Sequence, residues 1–439
     1  MRSALDMTAN IAVARSLIDA KRVLRQDLFI LTICIAFQLG LGLLFGHKYD
    51  TRIFMAAGHQ VAAGQNPYAS ADLSAVFQDP GFQDITTIGY PPPWPLMLGG
   101  IYRVVDATNS GYLIYNLAIK IPIILANIAL AFLTAACLLR LGAGEASARK
   151  VRFWLLFNPF LLFASVAWGQ FDSIVTCLAL ASLLLLDSRK IIGSAVLLAL
   201  AFSFKPTALP LLLVPFFFLG PKSLGSLIRF YLVLLLSMLA FCVSPFVLLG
   251  WDPSPILQNS NAHFSVGGGL SPLAALELIS NSYQLTGNWW LLGLVWIPAL
   301  MIACFFIKPE IIGFTDLLRV STAFIMVFFL TRAWLSEPNI ILILPFVLIL
   351  TTLEENPKPW LHAIWILPLI FSVVNTSAAQ LLFPSYPRLM NAILVQMEEF
   401  RTARLVAKLM VVLPWQVIGW MIVVRMFKRH SVVRAAAAV

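Results

Sequence analysis

Apolar stretches recur along this chain from Leu28 to Phe427, punctuated by Pro, Gly and charged residues. Runs of roughly 15 to 25 apolar residues are too long and too many for the core of a soluble domain. In hydrocarbon no water bonds the peptide groups, so such a chain has one practical solution, helices that satisfy their own backbones. Composition agrees. Of 439 residues 60% are hydrophobic and 11% charged, against about a quarter charged in ordinary soluble domains. The expected fold class is all-α, a polytopic transmembrane helical bundle.

Hydropathy and breakers predict helices over 28–46, 112–140, 153–167, 170–187, 191–204, 206–220, 226–250, 289–307, 314–334, 339–353, 360–383 and 405–427. That is about 12 spans in a single membrane domain over 1–439, with both termini on one side. Arg15, Lys21, Arg22 and Arg25, RKVR at 149–152, SRK at 188–190, Lys222, Arg229, Lys308, Lys358 and the C-terminal RMFKRH then share that side. The positive-inside rule makes it the cytoplasm. The net charge of +10 thereby reads as loop charge rather than affinity for nucleic acid. Residues 1–27 read as a cytoplasmic interfacial segment leading into an uncleaved anchor, since no small-residue cleavage site follows the first apolar run. Residues 47–111 read as the first outer loop, with 94–105 dipping into the outer interface. The expected location is a multi-pass membrane protein, in the cell (inner) membrane if prokaryotic, with its site on the extracytoplasmic face. The five cysteines all fall in apolar runs and read as small buried hydrophobes, not as disulfides or metal ligands.

The segments 153–167, 191–204, 206–220 and 339–353 are short for a crossing, which takes about 20 residues. Short helices persist at membrane depth where they are packed in protein or line a watery cavity. Their outer ends are therefore expected to meet at an outward-facing cavity. The same threading gathers the unusual polar groups there. The first outer loop holds Asp50, Arg52, His59, NPY at 66–68 and GYPPP with Tyr90; WGQFDS holds Gln170 and Asp172; FKP holds Lys205. NSNAHFSVGGGLSP holds His263, and TRAWLSEPN holds Arg332 and Glu337. Each has a local explanation too. Asp50 suits the N-cap of a helix over 51–63 that ends at Gly64, Asp172 a cap, and Glu337 before Pro338 a helix start. Lys205 and Arg332 suit helix C-termini, and Arg52 a partner in Asp50 or a lipid phosphate. No Walker loop, GxGxxG after a strand, HExxH, CxxC or GxSxG occurs.

YDTRIFMAAGHQVAAGQNPY, followed by a Tyr-Pro-Pro start to the next apolar element, resembles the integral-membrane glycosyltransferases of the GT-C superfamily, which use polyprenyl-phosphate sugars. FNPFLLFASVAWGQFDSIVTCLALASLLLLDSRKIIGSAVLLALAFSFKP strengthens the resemblance, which is to the catalytic subunit of GPI mannosyltransferase I and to family 87 mannosyltransferases. It covers about 45 to 220 and thins beyond 350. It implies a catalytic carboxylate in the first outer loop, here Asp50, and mannose as the sugar. The GPI enzyme's Asp-x-Asp pattern is broken here by Lys48, which favours a metal-independent reaction on one carboxylate, with no cofactor.

The residue types fit that chemistry on their own terms. A phosphate leaving group is already a stable anion and needs cations and hydrogen-bond donors where charge develops; Lys205, Arg332, His263 and Arg52 are the candidates. An acceptor hydroxyl needs a carboxylate to orient it and take its proton; Asp50 is the candidate, acting with inversion. Gln170, Asp172, Glu337 and Tyr90 are left to position substrate. The partners expected are a polyprenyl-phosphate-sugar donor, a glycan, glycolipid or protein acceptor, and membrane lipid. Two other readings share the polar groups: a flippase or transporter of lipid-linked or small polar substrates, and a ligase that moves a whole lipid-linked glycan.

Overall fold

A computed structural model describes residues 25–83, 85, 88–220, 223–258, 266–280, 284–285, 287–307, 313–354 and 358–437. His263, Lys222, Lys308 and the segment 1–24 lie outside the described residues. Helix α1 (Arg25–Leu44) leads by a short link into α2 (Lys48–Ala62), and α3 (Pro93–Ala107) packs back against it. Then follow α4 (Tyr112–Arg140), α5 (Glu145–Ala167), α6 (Asp172–Asp187), α7 (Ile191–Phe204), α8 (Pro206–Leu219) and α9 (Leu224–Leu249). The remainder is α10 (Asn288–Phe306), α11 (Phe314–Thr331), α12 (Glu337–Thr352), α13 (Pro359–Val374), α14 (Pro387–Glu399) and α15 (Arg401–Ala437).

Seven of these, α1, α4, α5, α9, α10, α11 and α15, contain stretches long and apolar enough to cross a membrane. The chain is accordingly a multi-pass helical membrane protein. Helices α7, α8, α12 and α13 are apolar but shorter. The fold is built around α11, of whose most apolar stretch 83% is buried, whereas the corresponding stretch of α9 is 6% buried. Leu232, Leu235, Leu236, Val247 and Leu248 of α9 accordingly stand exposed, a surface suited to lipid chains. Between α1, α4 and α5 a buried amide ties the helices together: Asn127 Nδ2 donates to Gln38 Oε1 at 3.0 Å and to Ser165 Oγ at 2.9 Å.

Chain direction gives the bundle two ends. α4 runs to Arg140, α5 starts near Arg149, Lys150 and Arg152, and α7 follows Arg189 and Lys190. Arg140 Nε donates to Asp187 at 2.8 Å, Arg149 pairs with Asp27 at 2.5 Å, and Arg425 pairs with Glu354. The other end carries α2, α3, the turn 168–171 and Lys205. There, strand β1 (Gly268–Gly269) pairs in parallel with β2 (Trp334–Leu335). Gly269 has φ +61, and a Cβ on it would stand 2.1 Å from Leu335 O, so only glycine lets these two loops join.

Local sequence accounts for the breaks. Pro206 and Pro210 remove two amide donors, and the first half of α8 is a 3₁₀ helix. In α5 the helix stops at Phe157–Asn158, and Asn158 Oδ1 restarts it by accepting from Leu161 N at 2.9 Å. Residues 162–167 then widen into a π-helical turn.

Candidate functional site

The first-loop acid is held from below. The last carbonyls of a helix have no partner in the helix itself. At the end of α1, Asn116 Nδ2 lies 2.8 Å from Gly42 O, 3.3 Å from Leu43 O and 3.0 Å from Phe45 O. Lys120 Nζ donates to Gly42 O at 3.1 Å and to Phe45 O. Both side chains are buried on α4. The link beyond is fastened on two sides, with Gly46 N donating to Leu381 O at 2.8 Å and His47 N to Trp168 O at 3.2 Å.

Helix α2 begins at Lys48, earlier than the 51–63 expected from sequence, and His47 occupies its N-cap. Asp50 therefore caps nothing. It sits in the first turn, where the helix dipole favours a carboxylate. Trp168 Nε1 donates to Asp50 Oδ2 at 2.6 Å, a short, charge-assisted bond. His47 Nδ1 lies 3.1 Å from the same oxygen, and its ring stacks on Trp168 at 4.4 Å and 12°. Burial would raise the Asp50 carboxyl, but His47, Trp168 and the amide of Gln170 outweigh it and hold the group below its ordinary value. The carboxylate is thus ionised at neutral pH, and at 15% exposure it is still reachable.

Beside Asp50 lies a second cluster. Gln170 Oε1 accepts from Tyr90 Oη at 3.3 Å and from Lys205 Nζ at 3.1 Å; Lys205 also donates to Asp172 Oδ2 at 2.7 Å. Lys205 and Asp172 are both buried, and Asp172 Oδ1 is buried with no hydrogen-bond partner among the described residues. Lys205 Nζ stands 5.4 Å from the ring centroids of Tyr90 and Phe171, a cation–π arrangement. Burial and then the charges of Asp50 and Asp172 push the Tyr90 phenol well up, so it stays a neutral donor. Asp172 opens α6 without capping it, and Lys205 closes α7 in extended backbone. The breaks at WGQFDS and FKP put these polar groups face to face.

Turn chemistry fixes the rim. Asn66 of NPY donates to Asp252 O at 3.0 Å, and buried Tyr68 donates to Tyr90 O at 3.0 Å. Trp94 stacks on Phe171 at 4.2 Å and meets Phe54 edge-on at 5.4 Å. Gly58 lets α2 and α3 touch, since a Cβ there would be 2.9 Å from Leu98 O.

The remaining candidates sit apart from this cluster in different ways. Arg52 is engaged by Asp79 at 2.7 Å and lies 4.5 Å from the Phe383 ring centroid, so its charge fastens the loop at 79–82. Arg332 follows α11, with its guanidinium 5.0 Å from the Phe328 ring centroid. It has no carboxylate partner among the described residues, and burial lowers it to about 10, still charged at neutral pH. Glu337 Oε1 accepts from Asn375 at 3.2 Å and Ser377 at 3.1 Å, in a 3₁₀ segment that packs on α6 and on the π turn of α5. His59 faces Tyr102 at 5.0 Å and Phe77 at 6.1 Å. His263 is outside the described residues.

Sequence reading missed His47, Asn116 and Lys120, and assigned no role to Trp168. Lys120 and Asn116 inside an apolar run were the available signal, since polar groups at membrane depth need a reason. Residues 49–220 match the family described as Alpha-(1->6)-mannopyranosyltransferase, N-terminal domain. No curated protein matches the chain.

Proposed function

We propose that this chain, whose residues 49–220 match the alpha-(1->6)-mannopyranosyltransferase N-terminal domain family, is a membrane-embedded mannosyltransferase that moves a mannosyl unit from a polyprenyl-phosphate donor to an extracytoplasmic acceptor. The family's name supplies the bond, an α-(1→6) link, and hence a primary sugar hydroxyl as nucleophile. Asp50 orients that hydroxyl and receives its proton as the oxygen bonds to the anomeric carbon. The bond from that carbon to the phosphate oxygen breaks, and polyprenyl phosphate leaves with the electron pair. With Asp172 held by Lys205, Asp50 acts alone on the acceptor and the step inverts the anomeric carbon, since retention wants a second carboxylate as nucleophile about 5 Å away.

The observation that carries this reading is the Asp50 carboxylate, ionised, reachable and held rigid by Trp168 and His47. Lys205 supplies a cation for the phosphate beside Asp50, Arg332 is assigned a second one apart from that cluster, and Asp172 Oδ1, without a partner among the described residues, offers an acceptor for a sugar hydroxyl. Tyr90 and Gln170 keep these groups in register, and Glu337 lines the neighbouring wall. Arg52 acts one step back, through the loop it fastens. Bundle charge supports the orientation. Arg149, Lys150, Arg152, Arg189 and Lys190 lie at the end away from Asp50, as cytoplasmic residues do.

The test is transfer of labelled mannose from synthetic polyprenyl-phosphate-mannose by purified wild type and Asp50→Asn, with host membrane lipids as acceptor. The expected loss is about 10²–10⁴-fold in a variant with an unchanged melting temperature. Full transfer by Asp50→Asn would move the base to Asp172 or Glu337. Tight donor binding without any transfer would favour the flippase.

A further inference from the structure

At the basic end of the bundle, away from Asp50, the structure has a second concavity. It is a half-open cavity of about 500 Å³ between the start of α5, the end of α12 and the start of α13. That volume falls within the range of roughly 300–1,000 Å³ of small-ligand sites. Its polar lining includes Lys150, Lys358 and His362, and its aromatic wall is Trp154 and Trp365. The rings brace one another: Trp154 meets Trp365 at 5.8 Å and 77°, and His362 at 5.8 Å. Trp365 Nε1 lies 3.4 Å from His362 Nδ1, which turns the other imidazole nitrogen away from Trp365.

Charge in the described lining of this cavity is unbalanced, with Lys150 and Lys358 against Glu354. Glu354 also lines it, but its carboxylate is engaged by Arg425. Lys150 and Lys358 have no carboxylate partner among the described residues. Two amines and an imidazole therefore share the described lining of one space, beside hydroxyls of Thr351 and Thr352. An apolar wall of Leu344, Val347 and Ile364 continues from it. Position adds the last element. Lys150 stands in the first turns of α5, and the opposite end of that segment, Ala167, adjoins Trp168 and so Asp50. The cavity thus lies at the opposite membrane boundary from Asp50, and tryptophan rings are at home at such boundaries.

We propose that this cavity binds the phosphate headgroup of an anionic membrane phospholipid, with Lys150 and Lys358 on the phosphate, Trp154 and Trp365 against the glycerol region, and the acyl chains running along the apolar wall. Such a lipid bridges α5 to α12 and α13, whose other ends carry Trp168, Glu337 and Asn375. It therefore ties together, from the far side, helices that hold the candidate site.

The experiment is native mass spectrometry of the detergent-purified full chain with added phosphatidylglycerol, phosphatidylcholine or inorganic phosphate. The wild type is expected to retain phosphatidylglycerol at least tenfold better than phosphatidylcholine. Lys150→Gln/Lys358→Gln is expected to lose that preference while keeping its melting temperature, since both side chains are exposed. Lys190→Gln/Arg229→Gln, with the same change of charge outside the cavity, is expected to keep it. Equal loss in both double variants would overturn the site in favour of diffuse surface charge. Unchanged binding by Lys150→Gln/Lys358→Gln would overturn it outright. Displacement of the lipid by millimolar inorganic phosphate would overturn a lipid source and leave a soluble phosphate as the ligand.

Discussion

Lys205 illustrates how one residue holds two duties that separate experimentally. Its ammonium answers the buried Asp172 carboxylate at 2.7 Å and reaches Gln170 at 3.1 Å. Breaking a buried pair from one side strands a charge, at a cost of about 3–5 kcal/mol. Lys205→Met is expected to lower the thermal stability of the purified protein accordingly and to abolish transfer. Adding Asp172→Asn removes the stranded charge, so the double variant is expected to regain most of the stability and none of the activity. Recovery of both together would make the pair structural only. Lys205 and Gln170 were legible as polar breaks because each interrupts an apolar run beside a Pro or Gly, and Asp172 because it lies in the same turn as Gln170. The grip of Trp168 on Asp50 was not, because an aromatic near a helix end has an interfacial reading as well and the contact joins residues 118 apart. Arg52 shows the same limit: its Asp79 partner is set by how the loop folds, not by spacing.

Among the elements, hydropathy located Tyr112–Arg140 and Ile191–Phe204 at their observed bounds, since charged or turn residues flank both. It placed the start of α5 at 153 rather than Glu145, because EASARKVR is helical but polar and carries no apolar signal. It also ran one segment from 360 to 383, where Asn375 in extended backbone ends α13 and frees its amide for Glu337. The least legible device is the capping of α1 by α4. Asn116→Leu removes a donor shared by three carbonyls, and buried carbonyls left unpaired cost about 1–3 kcal/mol each. The variant is expected to melt lower and to lose transfer through a displaced Asp50. A melting temperature equal to wild type would show that Lys120 alone suffices to close the helix.

At the scale of the molecule, the expectation of a helical membrane bundle was legible from composition alone, and among the described residues seven helices are long and apolar enough to span. The tally of about 12 crossings came from counting short helices as spans. The two-ended distribution of charge makes the orientation testable. With Gln65→Cys and Ala146→Cys introduced separately at exposed positions, an impermeant maleimide applied to intact cells is expected to label the first and not the second. Labelling of Ala146→Cys alone would invert the proposed topology, and labelling of both would break it. The bond between Trp168 and Asp50 also bears on how such a chain can change over generations. The loop contributes the acid and a turn two long helices later contributes its holder, so an exchange of either segment between relatives delivers a carboxylate without its clasp. Asp50 and Trp168 thus function as a pair, and a segment taken from any chain that lacks one of them separates the two.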